Sequence, residues 1–178
     1  MPSNVQRTQT TRAAILQAAA ELVQRHGSRH LTLLKVARQA GVSKGALTHH
    51  YPSKDLLLND LIQHHLTAFS STLEKSDLPY GVAYVRHGNH DGTRGLAHGL
   101  IAALGAHPAV METIREHASN WQQHFHSVDA NIARLATDGL WLAEVLGLPV
   151  PEGQDREQLL ARMEELASGP QEKPGETP

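Results

Sequence analysis

Lys44, Thr48 and His49 fall within one short stretch, SKGALTHH, and each carries a donor that could meet a polyanion. Read as a helix over 44–50 capped by Ser43, the stretch would expose Lys44, Gly45, Ala46, Thr48 and His49. Gly45 and Ala46 keep the leading turn slim, which allows close approach to base edges. Lys44 could donate to guanine O6 or N7, or to a phosphate. The surrounding charge agrees. Residues 1–54 hold eight Lys/Arg and one acidic residue, Glu21, whereas residues 55–178 hold eight Lys/Arg and seventeen Asp/Glu. A basic first third on an acidic remainder suggests that the first third meets a polyanion; a solvated basic face is the plainer alternative.

Thirteen histidines raise metal binding as a second chemistry. His87 and His90 form H-x-x-H in a Gly-rich loop, and His117, His124 and His126 lie on a later helix. His124 and His126 are two residues apart and do not share a helix face. There is no cysteine, and no compact ligand set with a supporting carboxylate, so no metal site is assigned. A histidine-based, metal-responsive regulator is the alternative reading. The chain has no Gly-rich phosphate loop, nucleophile elbow or H-E-x-x-H, so neither an enzyme nor a cofactor is expected. The lack of cysteine suits a reducing cytoplasm. No apolar run reaches membrane-spanning length, and MPSNVQRTQTTR lacks the apolar stretch of a secretory signal, so the expectation is a cytoplasmic protein without a membrane partner.

The elements that must hold these residues are helical. Ile15, Ala18, Ala19, Leu22 and Val23 give an amphipathic helix over 8–26 that stops at Gly27. Thr32 caps a second helix over 33–40, ended by Gly41. Tyr51-Pro52 closes the third at residue 50, and Ser53 caps a fourth over 54–75 with Leu57, Leu61, His65 and Leu66 near one face. Val36, Ala37, Val42 and Leu47 supply small apolar contacts for a steep crossing, which would project the third helix outward into a major groove. The helix-turn-helix occupies about residues 32–50.

Residues 8–57, above all AGVSKGALTHHYPSKDLL, resemble the DNA-binding region of the tetracycline-repressor (TetR) family. The resemblance implies DNA contacts by Thr32, Lys44, Gly45, Ala46, Thr48, His49, His50 and Lys54. His50 falls at a frequent backbone-contact position, Lys54 at a phosphate-contacting helix start, and Tyr51 at an aromatic that buries beneath the third helix. Thr48 stands where the family commonly has an aromatic residue, and Leu33 and Leu34 where it is often polar. The implied partners are double-stranded DNA and a second copy of the chain. The implied activity is repression from a palindromic operator, relieved by a small-molecule effector.

After the linker 76–81, helices are expected over 81–87, 93–105, 108–127, 129–147 and 154–168, with a polar tail over 169–178 read as disordered. The fold class is therefore all-α. The domains expected are a DNA-binding module over 1–54 and an effector-binding and dimerisation domain over 55–168. Ile132, Leu135, Gly139, Leu142, Ala143 and Leu146, with Leu159, Met163 and Leu166, recur at helical spacing. They resemble the helix pair that builds the family's two-fold interface. Candidate walls of an effector pocket are Phe69, Tyr84, Leu100, Leu104, Met111, Trp121 and Phe125.

Overall fold

The computed structural model describes residues 4–89 and 108–169. Leu100, Leu104, His90, the helix expected over 93–105 and the tail beyond Gly169 lie outside the described residues. Within them the chain is all-helical. The helices are α1 (Asn4–His26), α2 (Leu33–Gln39), α3 (Lys44–His50), α4 (Lys54–Glu74), α5 (Tyr80–Gly88), α6 (Pro108–Gln122), α7 (Val128–Val145) and α8 (Gly153–Ala167). A single 3-10 turn, Ser28–His30, follows α1. No described helix is long and apolar enough to cross a membrane.

Two compact units divide the chain. The first runs to Ala68 and includes α6 up to His117. Its core is built from the apolar stripe of α1 (Ile15, Leu16, Ala18, Ala19, Val23), which packs with Val36, Ala37, Leu47, Tyr51 and the α4 residues Leu57, Leu58, Leu61 and Ile62. Val110 of α6 completes that core, with Ile114 packed against it.

The short helices start where their caps dictate. Thr32 Oγ1 accepts from the Lys35 N–H at 3.3 Å, Ser43 Oγ from the Ala46 N–H at 3.0 Å, and Ser53 Oγ from the Leu56 N–H at 3.2 Å. Each such cap is worth about 1 kcal/mol. Between α2 and α3 the chain reverses at Gly41, whose φ of 66° belongs to the left-handed region that glycine adopts without a Cβ penalty. The Val42 N–H then donates back to the Ala37 carbonyl at 3.0 Å, closing the turn.

The second unit holds α4 from Phe69 onward, α5, α6 from Ala118, α7 and α8. Helix α5 is its centre, with Gly81 through Val85 all buried. Val82 and Val85 pack with Ala133 of α7 and Met163 and Ala167 of α8. Ion pairs fasten the edges: Arg86 to Glu164 at 2.6 Å, and Arg156 to Glu144 at 2.5 Å.

The main correction to the expected elements is the end of α6. It stops at Gln122, not residue 127, because the next residues turn to bury Phe125 and to place Ser127 as the cap of α7. Ser127 Oγ accepts from the Ala130 N–H at 3.0 Å, and Asn131 Nδ2 donates to the Phe125 carbonyl at 3.0 Å. Helix α1 starts at Asn4, four residues before the expected position, since nothing in NVQR breaks a helix.

Glycine at 81 is required by contact. A Cβ there would lie 2.8 Å from the Ala167 carbonyl oxygen and 3.2 Å from its Cβ. Gly81→Ala should therefore destabilise the second unit by about 1–2 kcal/mol, overpacking outweighing the better helix propensity of alanine. Thermal denaturation checks this, with a midpoint lowered by several degrees expected.

Candidate nucleic-acid interface

Helix α3 is anchored by one face. Leu47 is fully buried, and Tyr51, which caps the helix through its N–H to the Leu47 carbonyl at 2.8 Å, is buried just beyond it. Lys44, Gly45, Ala46 and His49 are exposed, and Thr48 and His50 are half-buried. The Thr48 hydroxyl hydrogen bonds back onto its own helix, with carbonyl oxygens of Lys44 and Gly45 at 3.0 and 3.2 Å. Its outward chemistry is then a methyl group and an acceptor lone pair. The Lys44 ammonium makes no hydrogen bond or ion pair among the described residues.

Two lysines beside α3 are partly engaged. Lys54 Nζ donates to the Arg29 carbonyl at 3.4 Å and Lys35 Nζ to the His30 carbonyl at 3.1 Å. Each ammonium keeps further protons for other acceptors. Thr32 is exposed, and with its oxygen accepting from Lys35 its hydroxyl proton is still available.

A three-residue polar cluster lies behind α3. The Arg12 guanidinium grips Asp60 through Nε at 3.0 Å and Nη2 at 2.5 Å, and the Tyr51 hydroxyl donates to the same carboxylate. Arg12 Nε also lies 3.4 Å from the Tyr51 oxygen. Burial works against the Asp60 carboxylate, but the hydrogen bonds from Arg12 and Tyr51, with the charges of Arg12 and His64, outweigh it and hold its pKa below the ordinary value. Burial and the bond to Asp60 push the Tyr51 phenol up to about 12.

The second unit presents two further features. On α7, Val128, Ile132, Leu135, Leu142 and the following Leu146 are exposed, with Gly139 in the same row. Spaced alternately by four and three residues, they form a continuous apolar stripe. Elsewhere Phe69, Tyr84, Trp121 and Phe125 pack edge to face, with centroids 5.2 to 5.8 Å apart. The Tyr84 hydroxyl donates to Asp138 at 2.7 Å, and Arg134 holds the other oxygen of that carboxylate at 2.8 Å. Arg134 Nε is buried without a hydrogen-bond partner among the described residues. Burial raises the Asp138 pKa against the opposing effects of Tyr84 and Arg134.

Comparison with known proteins places this geometry. Residues 15–61 match the model for bacterial regulatory proteins of the tetR family, and residues 82–168 match the tetracyclin repressor-like C-terminal domain. The chain belongs to the TetR family. It is a DNA-binding transcriptional regulator of that family. The nucleoid occlusion factor SlmA of Vibrio atlanticus (strain LGP32) is 36% identical over 70 residues, 39% of this chain and 36% of its own length. SlmA of Vibrio cholerae serotype O1 is 43% identical over 53 residues, 29% of this chain and 27% of its own length. The match thus spans about a third or less of these relatives. A TetR-family member from Streptomyces coelicolor A3 shares the fold with a TM-score of 0.63 at 22% identity, covering 86% of this chain and 97% of its own. So does the multidrug binding protein EbrR complexed with ethidium, with a TM-score of 0.63 at 21% identity, covering 86% and 98%.

Within this TetR-family architecture the residues singled out from sequence divide clearly. Lys44, Gly45, Ala46, Thr48, His49 and His50 share α3, with Thr32 and Lys54 at the starts of α2 and α4. Ile132, Leu135, Gly139, Leu142 and Leu146 share the α7 stripe, whereas Ala143, Leu159 and Leu166 are half-buried. Met163 is turned inward: it is buried against Val82, Val85 and Ala133 and does not reach an exposed face. Phe69, Tyr84, Trp121 and Phe125 come together, but Met111 belongs to the first unit. Among the described residues no three His, Asp or Glu side chains stand close enough to hold a metal. Sequence reasoning missed Val128, Asp60, Arg12, Asp138 and Arg134. Of these, Val128 continues the four-three spacing, and Arg134 and Asp138 are an i, i+4 charge pair in the middle of a mostly apolar helix, so both carried a usable signal.

The Asp60 environment has a consequence for stability. Because its folded pKa lies below its unfolded one, its contribution is complete above the unfolded range and is lost as pH falls through the lower folded value. Urea unfolding followed from about pH 5 to about pH 2 should show a steeper loss for the wild-type protein than for Asp60→Asn, which starts lower and declines less. Parallel curves would show that the cluster carries no linked proton.

Proposed function

We propose that this chain is a homodimeric repressor whose α3 enters the major groove of a palindromic operator and whose release is triggered by a small organic effector. The observation that carries the DNA reading is α3 itself. Its inward face is pinned by Leu47 and Tyr51, and its outward face offers a free Lys44, a slim Gly45-Ala46 turn and His49, all within the basic first third. We assign DNA contact to Thr32, Lys44, Gly45, Ala46, Thr48, His49, His50 and Lys54. Residues 1–54 are then the DNA-binding module and 55–168 the dimerisation and effector domain of a cytoplasmic protein.

Self-association is supported by the α7 stripe. Leu135 is 59% exposed and Leu146 53%, and a row of such residues on one helix is unfavourable in water. At Gly139 a Cβ would meet nothing within 4 Å among the described residues, so a second helix could approach there. An effector site is supported by the aromatic cluster with its polar end at Tyr84, Asp138 and Arg134, and by the similarity of fold to a protein that binds ethidium. The metal-responsive alternative has no such support among the described residues.

Lys44 and Lys54 should behave differently. Lys44→Ala should cost on the order of 1–3 kcal/mol at the operator and relax preference at one base pair. Lys54→Ala should weaken binding to all duplexes alike and reduce the salt-dependence slope by about one. Affinities across a library of operator variants at two salt concentrations check both. If Lys44→Ala lowers every variant by the same factor, Lys44 is a backbone anchor and does not read bases.

The dimer has its own test. Leu142→Glu should place a charge in the stripe, give a monomer by sedimentation and weaken operator binding. Full-affinity binding of a palindrome by a wild-type monomer would end the homodimer reading.

A further inference from the structure

We propose that the Tyr51 hydroxyl is a positioning group: it joins the Arg12–Asp60 pair into a clasp that holds the orientation of α3 and so sets how well the operator is told from other DNA. This rests on the DNA reading above and goes beyond it by naming a residue that touches no base. Helix α3 has seven residues, and within it only Leu47 is buried. A helix held at one point can pivot about that point. Tyr51 supplies the second hold, one turn further on along the same face.

The aromatic ring alone would fill the core, as phenylalanine could. The hydroxyl does something else: it reaches Asp60 of α4, which Arg12 of α1 grips from the other side. Three helices thus meet at one carboxylate. The clasp is not deeply sequestered. The Arg12 side chain is 56% exposed, and a groove of about 320 Å³, with His50 and Leu56 in its wall, opens beside it. Solvent screens the exposed Arg12 side of the pair, so removing the Tyr51 hydroxyl should cost little global stability beyond the pH-linked contribution of Asp60, and its main effect is on geometry.

Geometry matters unequally to the two kinds of DNA contact. Reading a base edge needs donors placed within about half an ångström, whereas phosphate attraction tolerates a tilted helix. Loosening α3 should therefore reduce discrimination and leave general affinity in place.

The test uses the full chain and an operator duplex selected by the wild-type protein from a random library, beside a scrambled duplex. Tyr51→Phe should lose about tenfold in operator affinity, stay within about twofold on the scrambled duplex and keep the wild-type salt slope. Asp60→Asn should follow the same pattern. Hydrogen exchange on the free protein should show the α3 amides opening several-fold faster in Tyr51→Phe while α1 amides are unchanged. A loss shared equally by both duplexes, an unchanged operator affinity, or unchanged α3 exchange overturns the clasp. If the wild-type protein selects no sequence from the library, the DNA reading itself has failed, and the exchange measurement decides the clasp alone.

Discussion

A seven-residue helix does not hold itself in water, since nucleation costs more than so few hydrogen bonds return. The position of α3 is therefore set by what Leu47 and Tyr51 bury against, and the chemistry of the first unit depends on that burial. Leu47 sits in the core shared by α1, α2 and α4. Once it and Tyr51 point inward, Gly45, Ala46 and His49 are turned to solvent, with Lys44 at the open end. The Ser43 cap and the Gly41 turn fix where the helix starts, so the identity of the exposed residues follows from one cap, one turn and two buried side chains.

Helix α7 is under a comparable constraint from both sides. One face, Ala130, Ala133, Thr137, Leu140 and Val145, is buried in the second unit. The opposite row is made of Val128, Ile132, Leu135, Leu142 and Leu146, all exposed. Small residues on the buried face let its neighbours come close: a Cβ at Gly88 of α5 would lie 2.8 Å from Thr137 Cγ2, and Ala133 packs with Met163 and Ala167 of α8. The exposed face uses large ones. A helix apolar on two faces is at home only when both are covered, which is the physical content of the proposed pairing with a second copy.

Much of this is legible in the amino-acid sequence. The stripe of α1, the caps Thr32, Ser43 and Ser53, the Gly41 turn and the α7 spacing are local patterns, set by residues a few positions apart. The resemblance of AGVSKGALTHHYPSKDLL to the TetR family points to the same helices. What the sequence hides depends on distant partners. Arg12 and Asp60 are 48 residues apart, and nothing in either neighbourhood announces the other. Tyr84 and Asp138 are separated by 54. The inward turn of Met163 is hidden because it depends on what covers the single apolar stripe of α8, and the partners of Met163, Val82, Val85 and Ala133, lie far away in the chain. The early end of α6 is hidden because the turn that buries Phe125 contains no glycine or proline.

If α3 reads the operator as proposed, its exposed face also limits how much sequence one copy can read. Gly45 and Ala46 offer close approach but no hydrogen-bonding side chain. The Thr48 hydroxyl is engaged with its own helix's carbonyls, which leaves a methyl suited to apolar contact with thymine. Lys44 is a flexible point charge without the planar fork of arginine, so the proposed hold on one base pair would be loose. A face with so few rigid donors gains selectivity less from each contact than from requiring two such faces at a set spacing on one duplex. In the proposed dimer, orientation of α3 within one copy and separation between two copies would then be the controlling quantities. An effector that alters either by a small amount would switch binding without touching a single base-contacting residue.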